Sequence, residues 1–506
     1  MSVSTEKASL PDEEAAVAPT PEAPVGAAVV EDKRDETATD PEPTEPVKDV
    51  VPDGGYGWVI VGAILASNAV TWGINTTYGV FSAYYLAYNY YQATTLDYAW
   101  VGGLSVACSL LCAPLANYLT RRFHFRLPMF MGAVCVSVGQ CAAGVCKSFG
   151  PFLVCQGVIF GMGLGLTLIP AQPLLAHWFD RHLSLAQGIA ACGSGLGGLI
   201  LSNTTRVALE HLGVKWALII NGLISCVVLF PAICLMRGRH KAVGARSAPF
   251  QLNFLWHPGF VWVLLWSVFT TSSLSTLYSS ALSTSSSSSA SSSPLPRPLP
   301  RPRLVLGVVL VFVFADRLVM AYFIALYSMA SFATHALNFS QTQGAALQSI
   351  LAAGQMVGRP VWGLALDRGG RINMTILCYI LCGISTLAIW LPARSFGVLV
   401  FFAVVQGLTG GTIWSAATPV VARVVGVQDL ASALSIFWLV LVIPALVGQP
   451  IAIALLDYST THLGRTGPES YFISIGLCGG MALFGSGLLY GAKRYLQQGW
   501  TLFRIV

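Results

Sequence analysis

The sequence predicts an all-α membrane protein of twelve transmembrane helices in two six-helix sets. Three observations carry that prediction. Of 506 residues, 55% are hydrophobic and 10% charged, against about 25% charged in a soluble globular protein, so most of the chain cannot face water. The apolar residues gather in runs of about 20, enough for a helix rising 1.5 Å per residue to cross a ~30 Å hydrocarbon core. The basic residues fall mainly on alternate connections, the bias that cytoplasmic loops of membrane proteins show. The same composition excludes a secreted disulfide scaffold, a nucleic-acid-binding protein and an ordinary cytosolic enzyme.

Residues 1–50 come first, with 13 Asp/Glu and 4 Lys/Arg, a net of −9; the overall +6 therefore leaves +15 on residues 51–506. Seven prolines and few large apolar side chains cannot bury enough surface to offset ordering entropy, so this segment reads as a disordered acidic cytoplasmic tail. It lacks the apolar run of a signal peptide. Six spans follow at 57–84, 97–120, 127–147, 150–172, 184–205 and 214–236, making a first bundle over 51–236. A central loop, 237–257, leads to a second bundle, 258–495, with spans 8 to 12 at 341–366, 372–392, 395–418, 429–456 and 469–492, then a tail at 496–506.

Inner connections carry Arg121, Arg122 and Arg126, then Arg181, then Arg237, Arg239, Lys241 and Arg246. In the second half they carry Arg368 and Arg371, then Arg423, then Lys493, Arg494 and Arg504. Outer connections carry only Lys147, Arg206, Lys215, Arg394 and Arg465. This distribution requires an even number of spans with both termini cytoplasmic.

The seventh span lies in 256–335. Residues 258–270 are apolar but too short to cross alone; a Ser-rich run and a Pro/Arg run follow, then an apolar stretch, 304–334, broken by Asp316 and Arg317. Joining 258–270 to 321–333 gives one span of ordinary length, with roughly 271–320 as a low-complexity insert. The alternative makes 304–334 the span and 237–303 a long cytoplasmic loop.

Three motifs are more specific than hydropathy. Pro52-Asp53-Gly54-Gly55-Tyr56-Gly57-Trp58 precedes span 1. Trp178-Phe179-Asp180-Arg181, Ala186-Gln187-Gly188-Ile189-Ala190 and Gly193-Ser194-Gly195 enter span 5. Gly358-Arg359-Pro360, Gly363 and Asp367-Arg368-Gly369-Gly370-Arg371 leave span 8. An acid such as Asp53 is favourable near a helix N-terminus, and Tyr56 and Trp58 sit at headgroup depth, as aromatic belts do. Residues 193–198 match Gly-x-Gly-x-x-Gly, but no strand precedes them, so close helix packing explains them better than a dinucleotide site.

Together these motifs resemble the monocarboxylate-porter family of the major facilitator superfamily, most closely its fungal branch, from about residue 50 to 495. The resemblance implies the major facilitator fold and secondary transport of a small organic solute. It also implies that the Asp367–Arg371 connection pairs charges with neighbouring helix ends to stabilise one access state. Asp53, Arg121, Arg122, Asp367, Arg368 and Arg371 are accordingly the expected gating residues. The matching first-half connection keeps Arg121, Arg122 and Arg126 without an aspartate.

Arg359 is the one ionisable residue well inside a confidently assigned span, eight residues before Asp367 or about 12 Å along the helix. A charge at that depth marks function by default. Structural pairing and snorkelling towards the inner face are the alternatives. The family's arginine at this position is implied to contact a substrate carboxylate, which a guanidinium fits in bidentate geometry. Two departures stand out: the family's acid one turn earlier is Gln355 here, and its span 1 lysine is replaced by neutral Asn75 or Thr76. Proton coupling of the lactate type is therefore an open expectation. Trp72, Tyr78 and Trp414 are candidate aromatic walls.

Asn68, Asn75, Gln140, Gln156, Gln172, Asn203, Asn221, Gln355, Gln406 and Gln449 read as polar groups buried in spans. The twelve cysteines behave as small hydrophobes in spans; the histidines show no metal-ligand spacing; no phosphate-cradling loop is present. No cofactor is implied. The expected partners are a small, anionic organic solute, protons where coupled, and membrane lipid. A secondary-metabolite exporter, a vitamin-sized cargo and a non-transporting receptor are the other readings. The expected location is the plasma membrane.

Overall fold

The computed structural model describes residues 51–239, 258–271, 329 and 332–497. The acidic tail, the central loop from residue 240, the insert beyond Thr271 and the last nine residues lie outside that description, together with the expectations placed on them. Among the described residues every regular element is helical.

In the first half, span 1 comprises Gly57–Val70 and Trp72–Ala87. Its break coincides with hydroxyls folded back onto their own helix: Ser67 donates to the Ala63 carbonyl and Thr71 to the Ser67 carbonyl, contacts that bend helices. Span 2 comprises Thr95–Leu111 and Ala113–Arg122. It opens with a reciprocal cap between Thr94 and Asp97 and kinks just before Pro114, whose missing N–H is tolerated in the first turn of the new segment. Span 3 is Arg126–Ala143. Span 4 is Phe149–Phe152, a π turn at Leu153–Ile159, and Phe160–Ala176.

Spans 5 and 6 form one continuous element, Leu183–Leu235, broken only at Gly213 with φ 76° and ψ 176°. Thr205 and Asn221 lie 16 residues apart yet share side-chain hydrogen bonds. In a straight helix they would be about 24 Å apart, so the chain reverses at Gly213. The connection expected over 206–213 is thus helix up to a single glycine. That backbone region is essentially closed to residues with a Cβ.

The second half continues with Pro258–Thr271 and a π turn at Phe332–Ala336. Span 8 is Gln341–Gly369, capped by Ser340 and Gln343. Span 9 is Arg371–Ser385 with Thr386–Trp390. Span 10 is Phe396–Gly410 with Ile413–Val425, span 11 is Leu430–Val440 with Val442–Thr461, and span 12 is Gly467–Tyr471 with Phe472–Gln497.

The two described pieces of the seventh span dock at opposite ends of the same neighbour. Trp262 packs against Gly491, near the inner end of span 12, and Trp266 meets Tyr379 and Phe437. Phe332 meets Tyr471 at the outer end of span 12, and Trp390. Residues 471 and 491 are separated by about 30 Å of helix, the full depth of a bilayer core.

Two sequence expectations need correction. Asn203 is exposed and donates to its own helix at the Leu199 carbonyl; as a fold-back onto the preceding turn, that bond needs no neighbouring helix. Lys493, expected on an inner connection, is buried, with 3% of its surface exposed, because span 12 runs on to Gln497.

Gly213→Ala should lower the melting midpoint of the detergent-solubilised protein, at a cost of about 1–3 kcal/mol. Gly62→Ala, on span 1 with open space around its Cβ position, should leave the midpoint unchanged or raised. Equal midpoints for the two variants would contradict the reversal at Gly213.

Candidate functional site

The site is built around the start of span 5. The first N–H groups of a helix have no intrahelical acceptor and carry partial positive charge. In the turn just before it, Asp53 supplies an acceptor from the segment before span 1: its Oδ1 accepts from the backbone N–H of Asp180 and Arg181 at 2.8 Å each, and of the N-cap residue His182 at 3.4 Å. To place that carboxylate the chain turns sharply, with Asp53 at φ 47° and Gly55 at φ 60°; Asp tolerates the left-handed region better than most residues.

The first two sequence motifs therefore meet in space. Tyr56 packs on Trp178 with ring centroids 5.8 Å apart, and Trp58 on Phe179 at 5.0 Å. Tyr56 donates its hydroxyl to the Leu235 carbonyl, Trp178 its indole N–H to the Arg237 carbonyl, and Arg126 to the Met236 carbonyl. These bonds satisfy the carbonyls left over at the end of span 6, and Arg237 in turn lies over the Tyr56 ring at 4.6 Å.

A second carboxylate reaches the same helix start from the other half. Asp367, at the inner end of span 8, accepts from the Ser184 N–H at Oδ1 (3.0 Å) and from the Leu185 N–H at Oδ2 (2.8 Å). Arg371 donates to the Asp180 carbonyl and stands 3.9 Å from its carboxylate. Two glycines let the helices close on each other. A Cβ on Gly363 would sit 2.5 Å from the Ser184 carbonyl oxygen, and one on Gly188 would collide with the Arg359 carbonyl.

Asp53, Asp367 and Arg371 thus converge, whereas Arg121, Arg122 and Arg368 are exposed. Arg122 stacks over Phe123 at 5.6 Å. Beside it, His124 is held below the ordinary imidazole pKa by burial and then by Arg126.

Deeper in, Arg359 is only 4% exposed. Its guanidinium crosses to span 5, donating to the Ala191 carbonyl and the Ser194 hydroxyl, and donates to Gln355 Oε1 at 2.8 Å on its own helix. These three acceptors are a carbonyl, a hydroxyl and an amide oxygen. That geometry is a bridge between halves, not snorkelling. Gly411 of span 10 lies against the guanidinium.

One turn past Gly411, Trp414 meets Trp72 of span 1 at 4.9 Å and stacks on Trp438 of span 11 at 5.3 Å. Trp438 donates to Gln172 Oε1 at 2.8 Å. The structure therefore brings together Arg359 with Gln355, and Trp72 with Trp414, against adjoining stretches of span 10. Asn75 and Thr76 are used within the first half. Asn75 accepts from the Ser105 hydroxyl at 3.0 Å, and Thr76 donates to the Gly73 carbonyl at 2.6 Å.

Ser194 and Gln187 were not among the expected site residues. Gln187 donates to the Trp414 carbonyl at 3.3 Å. Residues 187, 191 and 194 recur at spacings of four and three, one face of a helix. With the second motif already marking this stretch, that spacing was the signal available.

A family description, Major Facilitator Superfamily, matches residues 61–315 and 306–497. The chain is similar to the probable transporter MCH2 of Saccharomyces cerevisiae, at 28% identity over 90% of this chain and 85% of that protein. It is similar to monocarboxylate transporter 12 of Mus musculus, at 27% identity over 88% and 87%. Among solved structures, the human organic anion transporter MFSD10 superposes with a TM-score of 0.57 at 14% identity, over 86% of this chain and all of that one.

Charge-assisted hydrogen bonds contribute about 1.5–3 kcal/mol each. Asp367→Asn should therefore speed amide exchange at residues 184 and 185 by about tenfold or more, while Asp53→Asn should act on residues 180–182. Hydrogen–deuterium exchange resolves the two; unchanged exchange in the Asp367 variant would contradict the cross-half cap.

Proposed function

Because the chain belongs to the major facilitator superfamily, we propose that it carries a small organic anion by alternating access, with Arg359 holding the solute's acidic group. It is a multi-pass membrane transporter of organic solutes and not an enzyme. The anionic solute, the residue roles, the plasma-membrane location and cytoplasmic termini belong to the proposal.

One observation supports it above the others: a buried guanidinium that reaches across the interface to a backbone carbonyl and a serine hydroxyl. Burying a charge is costly, and a carboxylate offers a guanidinium two parallel, charge-assisted bonds that neutral acceptors do not match. A solute carboxylate can therefore displace Ala191 and Ser194. Since those acceptors belong to the other half, the exchange loosens a tie between halves as it fills the site. The halves then rock about a midplane site, and the Asp367 and Arg371 contacts at the inner end break when that side opens. The name of monocarboxylate transporter 12 agrees with a carboxylate cargo.

Gln355 stands where the related family has an acid, so the residue bonded to Arg359 cannot carry a coupling proton. Transport driven by the solute gradient, or coupled elsewhere, fits this site.

Truncating a buried, hydrogen-bonded charge costs about 2–5 kcal/mol, so Arg359→Ala should weaken monocarboxylate counterflow in proteoliposomes at least about thirtyfold. Arg359→Lys, which keeps charge but loses the fork, should fall between. Undiminished exchange by a monodisperse Arg359→Ala protein removes this residue from the site. Gln355→Glu should pair with Arg359 when ionised, so its exchange should fall as pH rises through the new carboxyl's pKa and recover towards acid. A pH profile identical to that of the native chain would count against the contact.

A further inference from the structure

We infer that the solute's body is planar and conjugated, an aromatic carboxylate bearing oxygen substituents, with Trp414 as the surface it stacks on. This rests on Arg359 as the anchor for the acidic group and extends it to the rest of the molecule.

Trp72, Trp414 and Trp438 form a ladder across the interface between halves. Trp438 is fully buried and pinned by Gln172, so it is a fixed backing. Trp414 lies nearly parallel to it, with 13° between ring planes, and is carried on a stretch of span 10 where residues 409–422 are all buried except Trp414 itself. Trp414 alone on that stretch keeps accessible surface, and Gly411, one turn before it, lies against the Arg359 guanidinium.

Two polar atoms beside the ladder strengthen the case. The indole N–H of Trp72, on a side chain only 9% exposed, has no acceptor, and Oε1 of Gln187, 3% exposed, has no donor. Buried polar atoms without partners are rare and demand an explanation. A ring oxygen on the solute would accept from Trp72, and a hydroxyl would donate to Gln187. An indole presents a large π face at little conformational cost and favours offset stacking with another flat ring. A saturated chain of equal carbon number would gain burial but not stacking, and would leave both orphan atoms as they are.

Three probes separate the parts: 2-naphthoate, its saturated counterpart decahydronaphthalene-2-carboxylate, and neutral 2-naphthamide, each titrated calorimetrically against the full chain in detergent. The expected result is binding of 2-naphthoate at least about tenfold tighter than the saturated acid. Trp414→Phe should retain most of that preference and Trp414→Leu should abolish it. Equal binding of the two acids would overturn the aromatic surface and leave the anionic anchor standing. Equal binding of 2-naphthoate and 2-naphthamide would overturn the anchor while the ring preference survived. No binding by any probe would overturn the inference. Should Trp414→Leu fail to elute as a single species, the comparison of the two acids on the native chain decides.

Discussion

The start of a helix and the turn that leads into it expose N–H groups that need acceptors, and at span 5 of this carrier two carboxylates supply them. Asp53 accepts from residues 180–182 and Asp367 from residues 184 and 185. The first comes from the same half and is covalently close to span 1; the second comes from the far side of the interface. One carboxylate thus acts within a half and the other across the interface between halves. Because the backbone groups cannot be moved, the two halves are brought into one register, and the glycine contacts at Gly188 and Gly363 follow from it.

The same register carries the deeper site. With span 5 fixed against span 8, Ala191 and Ser194 stand opposite Arg359, and Gln187 stands opposite Trp414. Helix geometry sets those levels: residues 184, 187, 191 and 194 climb one face of span 5. Closure at the rim and occupancy of the guanidinium are thereby two readouts of one helix pair.

Much of this was legible in the sequence, because hydropathy, loop charge and small-residue motifs report on the membrane directly. Each of the eleven expected spans falls on described helix, with ends shifted by up to seven residues, and Asp53, Asp367 and Arg359 were singled out by motif and charge. What escaped was of another kind. Arg206 and Lys215 marked a connection between spans 5 and 6, but not that helix runs through it up to Gly213. Asn203 was grouped with buried amides because hydropathy does not tell the face of a helix. Asn75 and Thr76 were expected beside the arginine, yet their polar atoms serve Ser105 and Gly73; short polar side chains satisfy themselves locally when they can. Gln187 and Ser194 hid inside a motif read for its glycines. A single sequence shows which residues are costly to bury, but not which partner a folded neighbour will supply.

The bridge from Arg359 to span 5 has a consequence for how strongly this carrier can hold its cargo. In the proposed role of Arg359 as anchor, Ala191 and Ser194 would act as a tethered competitor, present at a fixed and high local concentration and never depleted. Only the fraction of molecules with that contact open would accept a ligand, and the apparent dissociation constant would be raised by the inverse of that fraction. Such a carrier would be held to weak affinity, and a carrier that binds weakly also lets go.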